Sequence, residues 1–334
     1  MKLSSKSMLL TLLRENKGKP ISGTKLAKEM SVSRVAVWKA VQSLTESGYS
    51  IETTDAGYHI DPKKEKDFLY PWEFGKKEKL FYHFKNTDST MDRARELALK
   101  NAVSGSVITA EKQSAGRGRN GRTWISRQGG LFFTMLERPR LAISDYTLFS
   151  LVTQIAVVRT VSAICGKKAF LRWPNDIYIN GRKIAGVTTE ISGEGDLISW
   201  LSVGIGVNVN NPVPSAKTTS LTEVLGHNVS RRIVLQKIIE QIDAVNKSFT
   251  SQAVYTQGNR ALAEEWNSLA DCISAKTAVF EPVNKNENSL DKPGRILARG
   301  VFQGIDPAGR CILKTEDKGN MFFNQGSVSL ALIT

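Results

Sequence analysis

The sequence is short of cysteine, histidine and long apolar runs, and each shortage removes a class of protein. Its three cysteines, Cys165, Cys272 and Cys311, are odd in number, far apart and without paired spacing. That favours reduced thiols over a disulfide framework or a zinc site. Its three histidines, His59, His83 and His227, form no metal-ligand pattern. No run approaches the roughly 18 apolar residues of a membrane span. The stretch from Met1 to Leu13 lacks the apolar centre and small-residue cleavage site of a signal peptide. The expectation is a cytoplasmic protein with no membrane partner.

What is present is an ordinary folded composition, 41% hydrophobic and 23% charged over 334 residues, enough for two or three domains. The net charge is +14, and residues 1–66 hold 12 Lys and Arg against 7 Asp and Glu, or +5, leaving +9 downstream. DNA binding by the N-terminus does not explain that remainder, so anionic small molecules or an acidic partner are expected as well. A diffusely basic solvated surface is the plain alternative.

Three zones follow one another, expected at 1–62, 80–271 and 272–334 with a linker at 63–79. In the first, Met8, Leu9, Leu12 and Leu13 mark one helical face. Ser22 can cap a second helix and Ser33 a third carrying Val37, Val41 and Leu44. The short link Met30–Ser33 is that of a helix-turn-helix, and the alternating residues either side of Asp55-Ala56-Gly57 predict a two-stranded wing. On the third helix Ser33, Arg34, Trp38, Lys39 and Gln42 can face a major groove, so operator DNA is an expected partner, held firmly by a dimer with two such helices. A merely polar face, with Trp38 packed inward, is the competing possibility.

The second zone mixes helix and strand patterns. It predicts a mixed, largely antiparallel sheet with helices on one face, including a hairpin turning at Asn180-Gly181. The third zone has short strands between Pro-Gly, Asp-Pro-Ala-Gly and Asp-Lys-Gly-Asn turns, the pattern of a small β-barrel. The whole is α+β.

A-G-R-G-R-N-G-R-T-W, Ala115 to Trp124, contains a literal G-x-G-x-x-G. A dinucleotide fingerprint needs a helix opening on those glycines and an acidic residue about 20 positions later. Here a strand follows instead. Arg117, Arg119 and Arg122 supply charge and forked donors directly, so they are read as anion binders on a glycine-permitted backbone. Downstream, R-W-P-N-D-I-Y-I-N-G-R-K-I-A-G brings Arg172, Asn175 and Asp176 near Lys183 if the hairpin pairs, although a lone lysine is usually solvated. In G-I-G-V-N-V-N, Gly204 to Asn210, small residues permit close approach of a ligand, which Asn208 could orient.

In this order, with Ser89-Thr90 and E-K-Q-S-A-G-R-G-R-N-G-R-T-W ahead of them, these elements resemble the biotin protein ligases. With the winged helix in front, the chain resembles their bifunctional ligase/repressor branch. The resemblance implies a class II synthetase-like ligase fold and a C-terminal SH3-like barrel. It further implies formation of biotinyl-5′-adenylate from biotin and MgATP, then transfer of biotin to a lysine of a biotin carboxyl carrier domain. By match to the motifs, Ser89, Thr90 and Gln113 would hold the biotin rings. Arg117, Gly118, Arg119, Arg122 and Gly186 would line the ligand site, and Lys183 would reach the carboxylate and α-phosphate. Asp176 and Asn208 would lie near Mg²⁺ and nucleotide, with Asp176 as base or orienting group in transfer. The adenylate would favour a DNA-binding homodimer. Arg172 stands where many members have lysine, and residues 210–222 offer no aromatic platform for adenine. A ligand-sensing transcription factor without activity, and a lipoate ligase, are the alternatives.

Overall fold

The computed structural model describes residues 3–139, 141–249, 255–281 and 295–332. The chain divides into two compact units, Met1–His83 and Phe84–Thr334.

In the first unit α1 (Ser5–Glu15), α2 (Gly23–Met30) and α3 (Arg34–Glu46) are each opened by a serine whose Oγ accepts a backbone N–H three residues on: Ser4 from Ser7, Ser22 from Lys25, Ser33 from Ala36. Their apolar faces, including Leu9, Leu13, Leu26, Val37, Val41 and Leu44, form one core. Ser31, in the left-handed region at φ 52°, makes the turn between α2 and α3. Then β1 (Ile51–Thr54) and β2 (Gly57–Ile60) pair antiparallel as the expected wing. Gly57 sits at φ +129°, where a Cβ would collide with the Ile21 carbonyl, so glycine is required.

Phe68, Tyr70 and Trp72, all within the stretch expected to be linker, pack against that core. Glu73, buried, takes two Arg14 hydrogen bonds of 2.8 and 2.9 Å and one of 2.5 Å from the Tyr49 hydroxyl, which itself accepts from the Trp72 indole at 3.0 Å. This carboxylate can be buried because its oxygens are bonded and its charge is paired.

The second unit is built on a seven-stranded sheet. In chain order it comprises β3 (Phe81–Thr87), α4 (Thr90–Leu99), β4 (Ser106–Gln113), β5 (Leu131–Glu137) and α5 (Tyr146–Cys165). There follow β6 (Phe170–Arg172), β7 (Asp176–Ile179), β8 (Arg182–Glu194), β9 (Leu197–Val207), α6 (Leu221–Leu225), α7 (Arg231–Phe249) and α8 (Tyr255–Ser268). The strand order is β3-β4-β5-β9-β8-β7-β6, and from β4 to β6 each neighbouring pair is antiparallel. Asn180 and Gly181, at φ 50° and 71°, turn the β7–β8 hairpin as the Asn-Gly pair predicts.

Thr134, Gly204 and Thr188 lie opposite one another across β5, β9 and β8, and Gly206 lies opposite Gly186. Because side chains alternate along a strand, these positions share one face and Val187, Val203, Ile205 and Val207 share the other. α5 packs along β6 to β9, with α7 and α8 against it. α4 belongs to the glycine face: its Met91 meets Gly204, and its Thr90 hydroxyl accepts from Thr134. The expectation of helices on one face is thus corrected, because α4 caps one end of the side that the glycines leave bare. Among the described residues one helical segment, Ile143–Cys165, is long and apolar enough to cross a membrane, which the residue pattern alone did not signal. It is two-thirds buried, its apolar character serving the sheet and α7.

The last strands, β10 (Lys276–Phe280), β11 (Ile296–Ile305), β12 (Cys311–Thr315), β13 (Gly319–Phe323) and β14 (Ser329–Leu332), form an antiparallel sheet ordered β13-β12-β11-β10-β14. Asp306 stabilises the Asp-Pro-Ala-Gly turn by accepting from the backbone N–H groups of Ala308 and Arg310. The expected Pro293-Gly294 turn lies outside the described residues.

Candidate active site

The bare face of the sheet becomes a cavity of about 390 Å³. Its floor exists because Gly186 and Gly206 have no side chains: a Cβ on Gly206 would lie 2.5 Å from the Trp124 indole, and one on Gly186 3.1 Å from it. Trp124 is delivered there by the arginine loop. Its backbone N–H donates to the Gly116 carbonyl at 2.8 Å, Gly118 N–H donates to the Arg122 carbonyl at 2.7 Å, and Gln113 pairs with Ser126. A single 3₁₀ turn, Arg119–Gly121, follows the glycines, and no α-helix opens before β5. The loop is therefore an arginine carrier.

At one end a polar chain is already in place. Thr134 donates to Thr90 at 2.8 Å, Thr90 donates through both N–H and hydroxyl to the Gln113 amide oxygen at 2.7 and 3.0 Å, and the Gln113 amide nitrogen donates to Ser126 at 2.7 Å. Ser89 caps α4 through its Oγ, which accepts from Met91 N–H. Ser89, Thr90 and Gln113 all line the cavity. Thr134 and Ser126, which no local spacing singles out, fix the orientation of the Gln113 amide.

The same cavity also gathers charge. Arg117, Arg119, Arg122, Arg172 and Lys183 stand on the wall against one carboxylate, Asp176, so the cavity favours an anion. These cations are not equivalent. Arg117 is engaged by Asp92 and Glu190. Arg172 makes a forked pair with Asp271, 3.0 and 2.7 Å, and lies over the Tyr178 ring; lysine could not reproduce that contact. Lys183 Nζ is 2.7 Å from Asp176 Oδ1 and lies over the Trp124 ring. Arg119 differs: its buried Nη2 has no partner among the described residues, and burial pulls its pKa down to about 10 against the opposing pull of Asp176. A buried guanidinium nitrogen with nothing to donate to is built for a ligand oxygen.

Gly118, Arg122 and Gly186 also line the cavity. Asn208 is not among the residues that line it. It is buried, its amide oxygen accepts from Asn211 at 3.0 Å, and its backbone ties Ile184 to Leu221. It holds the turn after β9. Of the residues expected to face DNA, Ser33 spends an oxygen lone pair capping α3, whereas Arg34, Trp38, Lys39 and Gln42 are exposed along one side of that helix. Val328, Leu330, Ala331 and Leu332 bring the C-terminal sheet onto the cavity wall, a contribution that its strand pattern did not signal.

A winged helix-turn-helix joined to a cationic cavity on a mixed sheet defines a DNA-binding protein carrying a ligase-type catalytic domain. The family described as Biotin/lipoate A/B protein ligase matches residues 83–208, and an HTH domain family matches residues 6–59. The bifunctional ligase/repressor BirA of Bacillus subtilis (strain 168) is 34% identical over 322 residues, covering 92% of this chain and 94% of that one. That of Escherichia coli (strain K12) is 26% identical over 315 residues, 88% of each. A biotin protein ligase from Aquifex aeolicus, solved in complex with biotin and ATP, superposes with a TM-score of 0.61 at 26% identity, covering 76% of this chain and 99% of that one. The chain belongs to the family of bifunctional biotin ligase/repressors.

Proposed function

We propose that this protein joins biotin to ATP as biotinyl-5′-adenylate, passes the biotinyl group to a lysine of a biotin carboxyl carrier domain, and represses transcription through its winged helix. The observation that carries the catalytic reading is the buried Nη2 of Arg119, without a partner among the described residues, on the same cavity wall as the Lys183–Asp176 pair. We assign 1–62 to DNA binding, 80–271 to catalysis and 272–334 to the C-terminal barrel, with 63–79 between them.

In adenylation a biotin carboxylate oxygen bonds to the α-phosphorus of ATP as the bond to the β-phosphate oxygen breaks and pyrophosphate leaves. Two anions must approach, so the residues that matter are cations already fixed in place. Arg119 donates to the acyl-phosphate oxygens and Lys183 to the carboxylate and α-phosphate. Ser89, Thr90 and Gln113 hold the ureido end, and Trp124 closes its flat side. Arg117, tied to Asp92 and Glu190, positions the loop. Among the described residues no three His, Cys, Asp or Glu side chains cluster as a metal site. Asp176 is the wall carboxylate that would offer Mg²⁺ a protein oxygen, and the ion would supply further neutralisation of the phosphates. In transfer, the acceptor ammonium must lose a proton before its nitrogen attacks the acyl carbon and AMP leaves; Asp176 is the one wall carboxylate among the described residues able to take or orient it.

The test is purified protein with MgATP and a carrier domain, supplied with labelled biotin or lipoate in turn. Label should enter the carrier from biotin alone; lipoate transfer, or no transfer, overturns the assignment. The floor makes a narrower prediction. Gly206→Ala should push the Trp124 indole out of place at a cost of about 1–3 kcal/mol, weakening biotin roughly five- to a hundredfold by titration calorimetry. Unchanged affinity would mean that biotin lies elsewhere. For repression, biotinyl-adenylate should raise the dimer fraction in sedimentation, which requires tighter binding to dimer than to monomer. A fraction indifferent to ligand contradicts that switch.

A further inference from the structure

The recognition helix carries more than cations. Val37, Ala40, Val41 and Leu44 of α3 are buried, whereas Arg34, Val35, Trp38, Lys39 and Gln42 are exposed, forming one side of the helix with no acidic residue among them. Val35 is 60% exposed and Trp38 52%. Single exposed apolar side chains are ordinary. Here two lie three residues apart, side by side between Arg34 and Lys39, on the helix that a helix-turn-helix lays in the major groove. Arg34, Lys39 and Gln42 make no side-chain hydrogen bond or ion pair among the described residues.

Val35 is the second residue of α3, in the turn whose side chains reach base edges. It has no donor or acceptor, and the major groove offers an apolar side chain one partner, the C5-methyl group of thymine. Ser33, its near neighbour, is held by its cap bond to Ala36 at 3.1 Å, which fixes the start of the helix and the direction in which Val35 leaves it. Resting on the repressor reading above, we propose that Val35, with Trp38 extending the apolar strip, reads a thymine methyl group. Each site this protein recognises then holds a thymine at a fixed position, where uracil binds more weakly. Arg34 and Lys39 neutralise the flanking phosphates and contribute affinity without that discrimination.

The experiment uses the full chain with biotin and MgATP and a pool of randomised duplexes, from which bound DNA is selected and sequenced. A thymine should recur at one position of the enriched site. Replacing it by deoxyuridine removes one methyl group and should weaken binding roughly fourfold for each copy of α3 engaged, about fifteenfold for two. Val35→Ala, whose thermal melting should match the parent because the side chain is exposed, should lose a similar factor on thymine DNA. It should lose nothing further on uracil DNA. Uracil binding as well as thymine, or Val35→Ala retaining full affinity and the same selected base, overturns the proposal while leaving repression intact. Failure to enrich any duplex overturns the repressor reading itself. A change in self-association of Val35→Ala without DNA would make this face a protein interface and also overturn it.

Discussion

In Arg119→Ala, biotinyl-adenylate should dissociate roughly ten- to a hundredfold faster, while the ligand-free protein should melt no lower than the parent. The first half follows from losing a charge-assisted hydrogen bond, about 1.5–3 kcal/mol, or one to two decades at 1.36 kcal/mol each. The second follows from what the guanidinium meets without ligand: burial disfavours its charge, and its Nη2 has no partner among the described residues. Because the folded value, about 10, lies below that of an ordinary arginine, the unfolded chain holds that proton more firmly. The penalty on folding is therefore present in full below pH 10 and is relieved as pH rises above it. Removing the side chain removes this penalty at neutral pH, and bound adenylate offsets it in the parent. Stopped-flow release of a fluorescent adenylate analogue and thermal melting, with and without ligand, read the two halves separately. A destabilised ligand-free variant with an unchanged off-rate would make Arg119 structural.

Lys183→Met should slow adenylation by at least about two orders of magnitude. Its ammonium does two things at once: it faces the reacting anions and it neutralises Asp176 at 2.7 Å. Methionine keeps the length of the side chain and removes both, leaving a bare carboxylate beside a site that must hold three phosphates and a carboxylate. Adding Asp176→Asn should recover part of the loss, because the new repulsion goes even though the lost attraction does not return. Pyrophosphate release in a single turnover measures this, and transfer from supplied biotinyl-adenylate should fall less because the anhydride is already made. An equal fall in both steps, or no recovery in the double variant, argues against the role.

Local signals in the chain had local outcomes. Ser22 and Ser33 cap helices, Gly57 and Asn180-Gly181 turn hairpins, and the arginine loop opens no α-helix, each decided within a few residues by backbone geometry. The motif residues from Ser89 to Gly186 likewise reach one cavity. What stayed hidden depends on pairing across long stretches of chain. Arg117 meets Glu190 and Arg172 meets Asp271, partners 73 and 99 residues away that no spacing rule reaches. Asn208 stands at a glycine-rich strand end, and its hydrogen bond from Asn211 belongs to a turn whose shape spacing does not give. β6 is three residues long, too short for alternation to register, and α4 lies on the glycine face because Thr90 and Met91 find Thr134 and Gly204 there.

The central claim is that two cations from separate segments, the arginine loop and the β7–β8 hairpin, act on one acyl-phosphate. Its most direct test is exchange of labelled pyrophosphate into ATP with no carrier domain present, in the parent, Arg119→Ala and Lys183→Met. The parent should exchange label only when biotin is added, and both variants should lose that exchange. Exchange at the parental rate in either variant, or exchange in the parent that ignores biotin, would contradict it.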